Sequence, residues 1–399
     1  MQKLKILFLH PNFPAQFKHL ALSVASEGHE VKFLCQTHFG RKIDGVEKLV
    51  LKKKASKEYL DAKKLNLFER SQELAEQYRM AFINLKENGY RPDVVISHSG
   101  WGCGLYVKEI WNKTKLISYL EWWFNPESAF FHYDIINKDL GLNPSCSKKS
   151  WARNQTFALE LVSSEYIVSP TEWQRKQLPN GLKEKCKVIF DGIDLDKFKP
   201  RKYTEKNIKK ITYGTRGFDP MRCFPQFIKE IPLIVEKIPG ITVEIAGQDE
   251  AFYGNASPHN TIEKTWGAWA RNYLKEQGML NQVKFIGYLE TEKYINWLNS
   301  SDCHVYLSHP FVISWSLVES YCIGMPIVTS DIEATREICR EANDISFVDH
   351  RKAGSISDGI INATNNFGGD GSELLINRRR IGRFSRDSSL SLWEGLWLV

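Results

Sequence analysis

Short apolar runs alternate with longer amphipathic ones almost from the first residue of the chain. Residues 4–9 (LKILFL) end in a Pro-containing turn and predict a strand, and residues 16–27 predict the helix that follows. Gly28 and His29 punctuate the pattern before a second strand at 30–35. Residues 57–88 are charged and periodic, hence helical; 93–97 (DVVIS) and 115–120 read as buried strands around a helix at 105–112. Residues 166–168 (YIV) run through Ser169-Pro170-Thr171 into a capped helix, and residues 187–190 lead into Asp191-Gly192. A Lys- and Pro-containing stretch at 196–210 breaks the alternation and reads as a linker. The pattern then restarts, with strands at 211–213, 242–246, 283–286 and 303–307 separated by helices at 225–237, 262–277 and 292–300. Residues 365–371 (NNFGGDG) read as a loop, and Trp393 and Trp397 mark the apolar face of a terminal helix.

Strands that alternate with helices predict α/β architecture, each parallel sheet covered on both faces. The expected organisation is two Rossmann-like, doubly wound domains, 1–195 and 196–375, with a ligand in a cleft between them. Residues 376–399 are expected to form the terminal helix. The length of 399 residues fits, since either half can bury its own core.

Composition excludes several classes. The chain is 42% apolar and 25% charged, ordinary for a globular protein, and no apolar run reaches the ~18 residues of a membrane span. The start, MQKLKILFLHPNFP, reads as a first strand rather than a signal peptide. Eight scattered cysteines without a CxxC pair predict small buried hydrophobes in a reducing, cytoplasmic setting. A net charge of +7 suits anionic ligands, an anionic membrane surface or nucleic acid, and does not choose among them. The run Lys52, Lys53, Lys54, Lys57, Lys63 and Lys64 is interrupted by Glu58 and Asp61 and reads first as a solvated face; peripheral contact with an anionic membrane is the alternative. No nucleic-acid partner is expected.

The chemistry concentrates at 308–338, SHPFVISWSLVESYCIGMPIVTSDIEATREI. It reads as a loop, a helix carrying Glu319, a Gly-Met-Pro turn, a strand at 327–329 and a second acidic helix start. Such a unit sets loop amides and one carboxylate at the carboxyl edge of a parallel sheet, where ligands of open α/β sheets bind. Backbone amides of Ser314, Trp315 and Ser316 at a helix start suit a diphosphate. Arg216 and Arg222, in YGTRGFDPMRCFPQF, follow a strand and precede a helix, and arginines bind phosphate bidentately. His98 ends the DVVISHSGWG strand. Two rival readings attach to nearby residues. Gly100, Gly102 and Gly104 with Glu121 imitate part of a dinucleotide fingerprint, which keeps an NAD-dependent oxidoreductase open. Trp122, Trp123, Phe124 and Tyr133 read as core packing or as an apolar acceptor platform. No Asp-x-Asp pair follows a strand in a donor-site context, so no metal is expected.

The 308–338 segment resembles the nucleotide-sugar-binding signature of the retaining glycosyltransferases of family 4, also called group 1. FPAQFKHLA, SPTEWQR, FDGID and TRGFDPMR extend the likeness over most of the chain. The resemblance implies the GT-B fold, with a terminal helix returning to the N-terminal domain. It implies retaining transfer of a sugar from a nucleotide diphospho-sugar to a glycan, lipid-linked or small-molecule hydroxyl, with no further cofactor. Glu319 matches the second of two motif glutamates, the one that holds the ribose hydroxyls, while Phe311 stands where the first would fall. Arg216 and Arg222 match the diphosphate clamp, the second at a spacing one residue longer than usual. His98 matches a histidine near the sugar's primary hydroxyl, and Ala15 and Gln16 match a loop that approaches donor or acceptor. Lys18 and His19 lie within reach of an acceptor, and backbone near Gly287 and Tyr288 is expected at the base. The departure at Phe311 leaves a catalytically silent sugar-nucleotide-binding protein as an alternative, beside an epimerase of the same fold.

Overall fold

The computed structural model describes residues 3–51, 66–142, 146–199, 208–259, 261–340, 344–365 and 381–397. The lysine run at 52–64, the start of the helix expected at 57–88, most of the linker expected at 196–210 and nearly all of the 365–371 loop lie outside the described residues.

Two compact units emerge. The first comprises Met1–Pro126, Ser145–Gly192 and Arg386–Val399; the second comprises Glu127–Pro144 and Ile193–Ser385. The excursion Glu127–Pro144, which leaves the first half of the chain to pack with the second unit, has no counterpart in the sequence reading.

The first unit holds β1 (Lys5–Leu9), α1 (Lys18–Ser26), β2 (Glu30–Cys35), β3 (Val46–Val50), α2 (Leu67–Glu87), β4 (Val94–His98), β5 (Lys115–Tyr119), α3 (Gln155–Ser163), β6 (Tyr166–Ser169) and β7 (Cys186–Val188). Its seven strands run in the order β3-β2-β1-β4-β5-β6-β7, every pair parallel. Side chains of one strand point alternately to opposite faces. Accordingly Ile6 and Phe8 join one core with Phe17, Leu20 and Val24, while Leu7 and Leu9 join another with Leu74, Tyr78 and Phe82 of α2. Both faces are covered, which is why β1 reads as a continuous apolar run rather than as an alternation.

The second unit holds β8 (Lys210–Gly217), α4 (Phe224–Lys237), β9 (Thr242–Gln248), α5 (Trp266–Glu276), β10 (Val283–Gly287), α6 (Thr291–Asn299), β11 (Cys303–Tyr306), α7 (Trp315–Ile323), β12 (Ile327–Ser330), α8 (Glu333–Ile338), β13 (Ile345–Val348) and α9 (Ser355–Asn365). Its six parallel strands run β10-β9-β8-β11-β12-β13 around a core of Ile211, Tyr213, Val243, Ile245 and Val305, with Phe224, Phe227 and Ile231 from α4. The terminal helix α10 (Arg386–Trp397) belongs to the first unit, where Trp393, Leu396 and Trp397 join the Ile6 and Phe8 core.

Several expectations are corrected. The helix expected at 105–112 is one turn, Val107–Ile110. The strand β3, unannounced by the sequence, is a half-exposed edge whose VEKLV pattern carries two charges. No helix was expected at 147–163. Two form there, meeting at buried Asn154, whose amide bonds to both the N–H and the carbonyl of Phe124 at 3.0 Å. All eight cysteines are free and all but Cys146 are buried. Among the described residues no helix is long and apolar enough to cross a membrane.

Candidate functional site

In a doubly wound sheet the strand order reverses at one point, and loops leaving the carboxyl ends of the two strands there diverge to open a crevice. In the second unit this point lies between β8 and β11. β8 carries Arg216 next to its last residue, the turn that follows carries Arg222, and β11 ends at Tyr306, just before Ser308. Buried Arg222 donates from one guanidinium nitrogen to Tyr306 Oη and Ser308 Oγ, both at 2.9 Å. Tyr306 Oη also accepts the Ser314 N–H at 3.0 Å. One phenol therefore ties the arginine loop to the loop that starts α7. Sequence reading did not find Tyr306, which resembles any other aromatic at a buried strand end.

Asp219 holds the arginine turn: its carboxylate accepts the Arg222 N–H at 3.1 Å. Burial pushes the Asp219 carboxyl up to about 6, against the opposing pull of the Arg222 charge and of backbone amides. Arg216 is differently placed. It is exposed, and its guanidinium lies 4.0 Å from the centre of the Phe252 ring. The two arginines of the expected clamp thus divide into one built into the fold and one at the surface.

Ser314 caps α7, its hydroxyl accepting the Ser316 N–H at 3.4 Å and the Ser316 hydroxyl at 3.0 Å. The amides of Ser314 and Ser316 therefore have internal partners in this structure. The Trp315 side chain is exposed. Glu319 lies inside the same helix, and burial pushes its carboxyl up to about 7. The neighbouring Tyr294 hydroxyl pulls it down and has no fully formed hydrogen bond of its own. Gly287 ends β10 at φ +73°, a conformation that favours glycine, and Tyr288 beside it is exposed. Phe311, at the position of the missing carboxylate, packs between Phe130 (5.2 Å) and Tyr253 (5.3 Å).

The first unit reverses its strand order between β1 and β4. Here the loop after β1 brings His10, Ala15 and Gln16 toward His98, the last residue of β4. The His10 and His98 rings meet edge-on at 4.9 Å, and burial holds His10 well below the usual histidine range. Gln16 Nε2 donates to Glu121 Oε1 at 2.5 Å and stands 3.4 Å from His98 Nε2. His98 Nδ1 accepts the Gly100 N–H at 3.3 Å, so in the neutral ring Nε2 carries the proton, 3.8 Å from Glu121 Oε2. Ala15 adopts φ +47° at the turn. Lys18 is exposed, and His19 lines a small surface cavity with Gln16, Tyr119, Asp191 and Arg386.

The glycine fingerprint is accounted for internally. The Gly104 N–H donates to Glu160 Oε2 at 3.0 Å, while Ser118 donates to Glu160 Oε1 at 3.0 Å. A protein carboxylate thus holds the amide that a dinucleotide phosphate would need. Trp122, Trp123 and Phe124 are buried, as core packing requires. Among the described residues no three His, Cys, Asp or Glu side chains gather as a metal site would.

Comparison with known sequences agrees with this geometry. Residues 27–198 match the glycosyl transferase family 4 group, and residues 196–379 match the glycosyl transferases group 1. The chain belongs to the group 1 glycosyltransferases. It is therefore a glycosyl-transferring enzyme. No curated protein matches the sequence. Among solved structures, a glycosyltransferase from Rickettsia africae is similar over 100% of this chain and 98% of its own, at 13% identity and TM-score 0.65. Sucrose-phosphate synthase from Thermosynechococcus elongatus is similar over 99% and 98%, at 12% identity and TM-score 0.68. HepE of Anabaena, solved in complex with UDP, is similar over 99% and 100%, at 13% identity and TM-score 0.63. At these identities the likeness shows the fold, and the two parallel-sheet units of this glycosyltransferase are the GT-B architecture.

The Tyr306 phenol accepts from two loops of this transferase, so Tyr306→Phe removes both bonds and keeps the ring. Loss of a hydrogen bond to a charged group costs about 1.5–3 kcal/mol. The expected result is roughly a tenfold or larger fall in kcat/KM at nearly unchanged secondary structure, checked by steady-state kinetics and circular dichroism. Unaltered kinetics would show that the two loops hold their positions without the phenol.

Proposed function

We propose that the enzyme transfers a sugar from a nucleotide diphospho-sugar to an acceptor hydroxyl with retention at the anomeric carbon. The observation that carries this reading is the Arg222–Tyr306–Ser314 network at the switch point of the second sheet, with exposed Arg216 at the end of β8 beside it. Departure of the sugar leaves charge on the diphosphate, and donors already in place stabilise it without reorganising. Arg216 supplies an exposed cation to that charge, and Arg222 fixes the turn and the start of α7. The departing phosphate oxygen takes the acceptor proton as the new bond forms on the same face. HepE has been solved with UDP and with UDP-glucose, which supports a uridine diphosphate donor in this fold.

Glu319 is assigned to the ribose hydroxyls, since a carboxylate accepts two hydrogen bonds from a diol. With its carboxyl pushed up to about 7, it holds its proton in the free protein below that value. Nucleoside diphosphate affinity is expected to fall about tenfold from pH 8 to pH 6. Glu319→Gln in the same buffers removes that step and leaves only the titration of the nucleotide's own phosphate. Titration calorimetry measures both; an identical pH profile in the variant would take Glu319 away from the ribose. For folding the sign is opposite to that of a salt-bridged carboxylate. A folded-state value of about 7 against the ordinary 4.5 means that the Glu319 contribution to stability declines as pH rises between those values.

The deciding experiment is a thermal-shift panel of nucleoside diphosphates and their sugars, with NAD and NADP as controls. Stabilisation by one nucleotide family supports the donor site, and stabilisation by NAD alone overturns it. Retention is tested separately by the anomeric configuration of the first-formed product, read by NMR.

A further inference from the structure

We infer that Tyr294 is a positioning residue of the donor site: from inside the second unit its hydroxyl holds the Glu319 carboxylate as a charged acceptor and leaves the outer oxygen to the nucleotide's ribose. The inference rests on the assignment of Glu319 to the ribose and names the group that makes that role workable.

Tyr294 lies in the first turn of α6, where its N–H donates to the Glu290 carbonyl at 2.8 Å. The helix is pressed onto the sheet here. A Cβ at Gly214 of β8 would meet the Trp297 ring at 3.2 Å, and the Trp297 and His304 rings meet edge-on at 6.0 Å. The Tyr294 ring packs against Trp297 at 6.0 Å and Phe198 at 6.4 Å, which fixes where its hydroxyl ends.

That hydroxyl is buried, makes no hydrogen bond of its own, and lies beside the Glu319 carboxyl. A buried donor left unpaired is costly, and an ionised Glu319 is the acceptor that relieves the cost. Burial, and then the neighbouring Glu319, hold the Tyr294 phenol well above its usual range, so it stays a donor at working pH. For Glu319, pushed up to about 7 by burial, the Tyr294 hydroxyl is the one opposing influence among the described residues. No cation shares that task. The other titratable groups nearby do not replace it. Cys322, on the same helix as Glu319, is pushed up to about 12, mainly by burial, and Tyr306 Oη already accepts from Arg222 and from the Ser314 N–H. An ionised carboxylate is acceptor-only and has two oxygens. With Tyr294 donating to one, the second faces the ribose hydroxyls. Tyr306 also stands near Tyr294, so one phenol backs both the ribose end and the diphosphate end of the site.

The test is titration calorimetry of the full chain with UDP, GDP and ADP and their 2′-deoxy forms between pH 6 and pH 9. Tyr294→Phe keeps the ring and removes the donor. Its pH step in affinity is expected about one unit above that of the wild type. The nucleoside diphosphate that binds the wild type should then bind about fivefold more weakly at pH 7 and nearly as well at pH 9. Its advantage over the 2′-deoxy form should narrow at pH 7. In a Glu319→Gln background the same substitution is expected to change nothing. A loss of equal size at every pH, an unmoved step, or a full further loss in the Glu319→Gln background would overturn the inference. The Glu319 carboxyl is also followed by carbon-13 NMR in the free protein, where its titration is expected to rise by the same unit. A carboxyl that titrates alike in wild type and variant sinks the inference by itself. A shifted carboxyl with no pH step in nucleotide binding takes Glu319 away from the ribose, and the inference falls with that assignment.

Discussion

An Arg216→Ala variant is expected to turn over about 100- to 1000-fold more slowly than the wild type while unfolding at the same temperature. The size follows from removing one donor aimed at the charge that develops on the leaving group, about 3–4 kcal/mol of transition-state stabilisation. The unchanged stability follows from the setting of the side chain. Arg216 is exposed and rests on the Phe252 ring, so its removal strands no buried partner. Surface changes of that sort stay within about 0.5 kcal/mol. Arg222→Ala forms the contrast, because it strips buried Tyr306 and Ser308 of a charged donor and lowers stability and activity together. Initial rates of nucleoside diphosphate release, paired with thermal unfolding, separate the two. Near-normal turnover in Arg216→Ala would remove Arg216 from the diphosphate. A fall in melting temperature matching the fall in rate would reassign it to the fold.

Gly104→Ala is expected to be the most destabilising single-methyl change in the first unit, by about 3 kcal/mol. The added Cβ would fall 2.5 Å from Glu160 Cδ and 2.7 Å from Ser97 Oγ, in a place where nothing is exposed. Two costs combine. The methyl overpacks a filled interior, and relief by moving Glu160 breaks its bonds from the Gly104 N–H and Ser118 Oγ. Burial already holds the Glu160 carboxyl above its usual range, so a weakened hydrogen-bond set raises it further. Urea unfolding followed by tryptophan fluorescence reads the loss. Stability equal to the wild type would mean that the turn moves aside freely.

The strands were the most legible part of the fold. β1 and β2 appear within a residue of their expected bounds because both sheet faces are buried, which leaves an apolar run between turn residues. Thr171 was readable as a cap and does accept the Gln174 N–H at 3.1 Å. What escaped was set by contact at a distance. β3 has too mixed a sequence to announce itself and is held as an edge by its register with β2. The break between the helices at 147–163 is fixed by Asn154 bonding to Phe124, thirty residues away in sequence.

By itself the sequence determined the class of fold, two parallel sheets each wrapped by helices, since period and punctuation are local properties of a chain. It also placed Glu319 on the helix after one strand and Arg216 and Arg222 around the end of another, because such positions follow from the order of the elements. Tertiary structure decided what each of those residues does there. It buried Arg222 and exposed Arg216, joined two loops through Tyr306, set Glu121 against Gln16 across 105 residues, and closed the Gly104 amide with Glu160. The physical reason is that burial and hydrogen-bond partnership depend on which segments the strand order brings side by side.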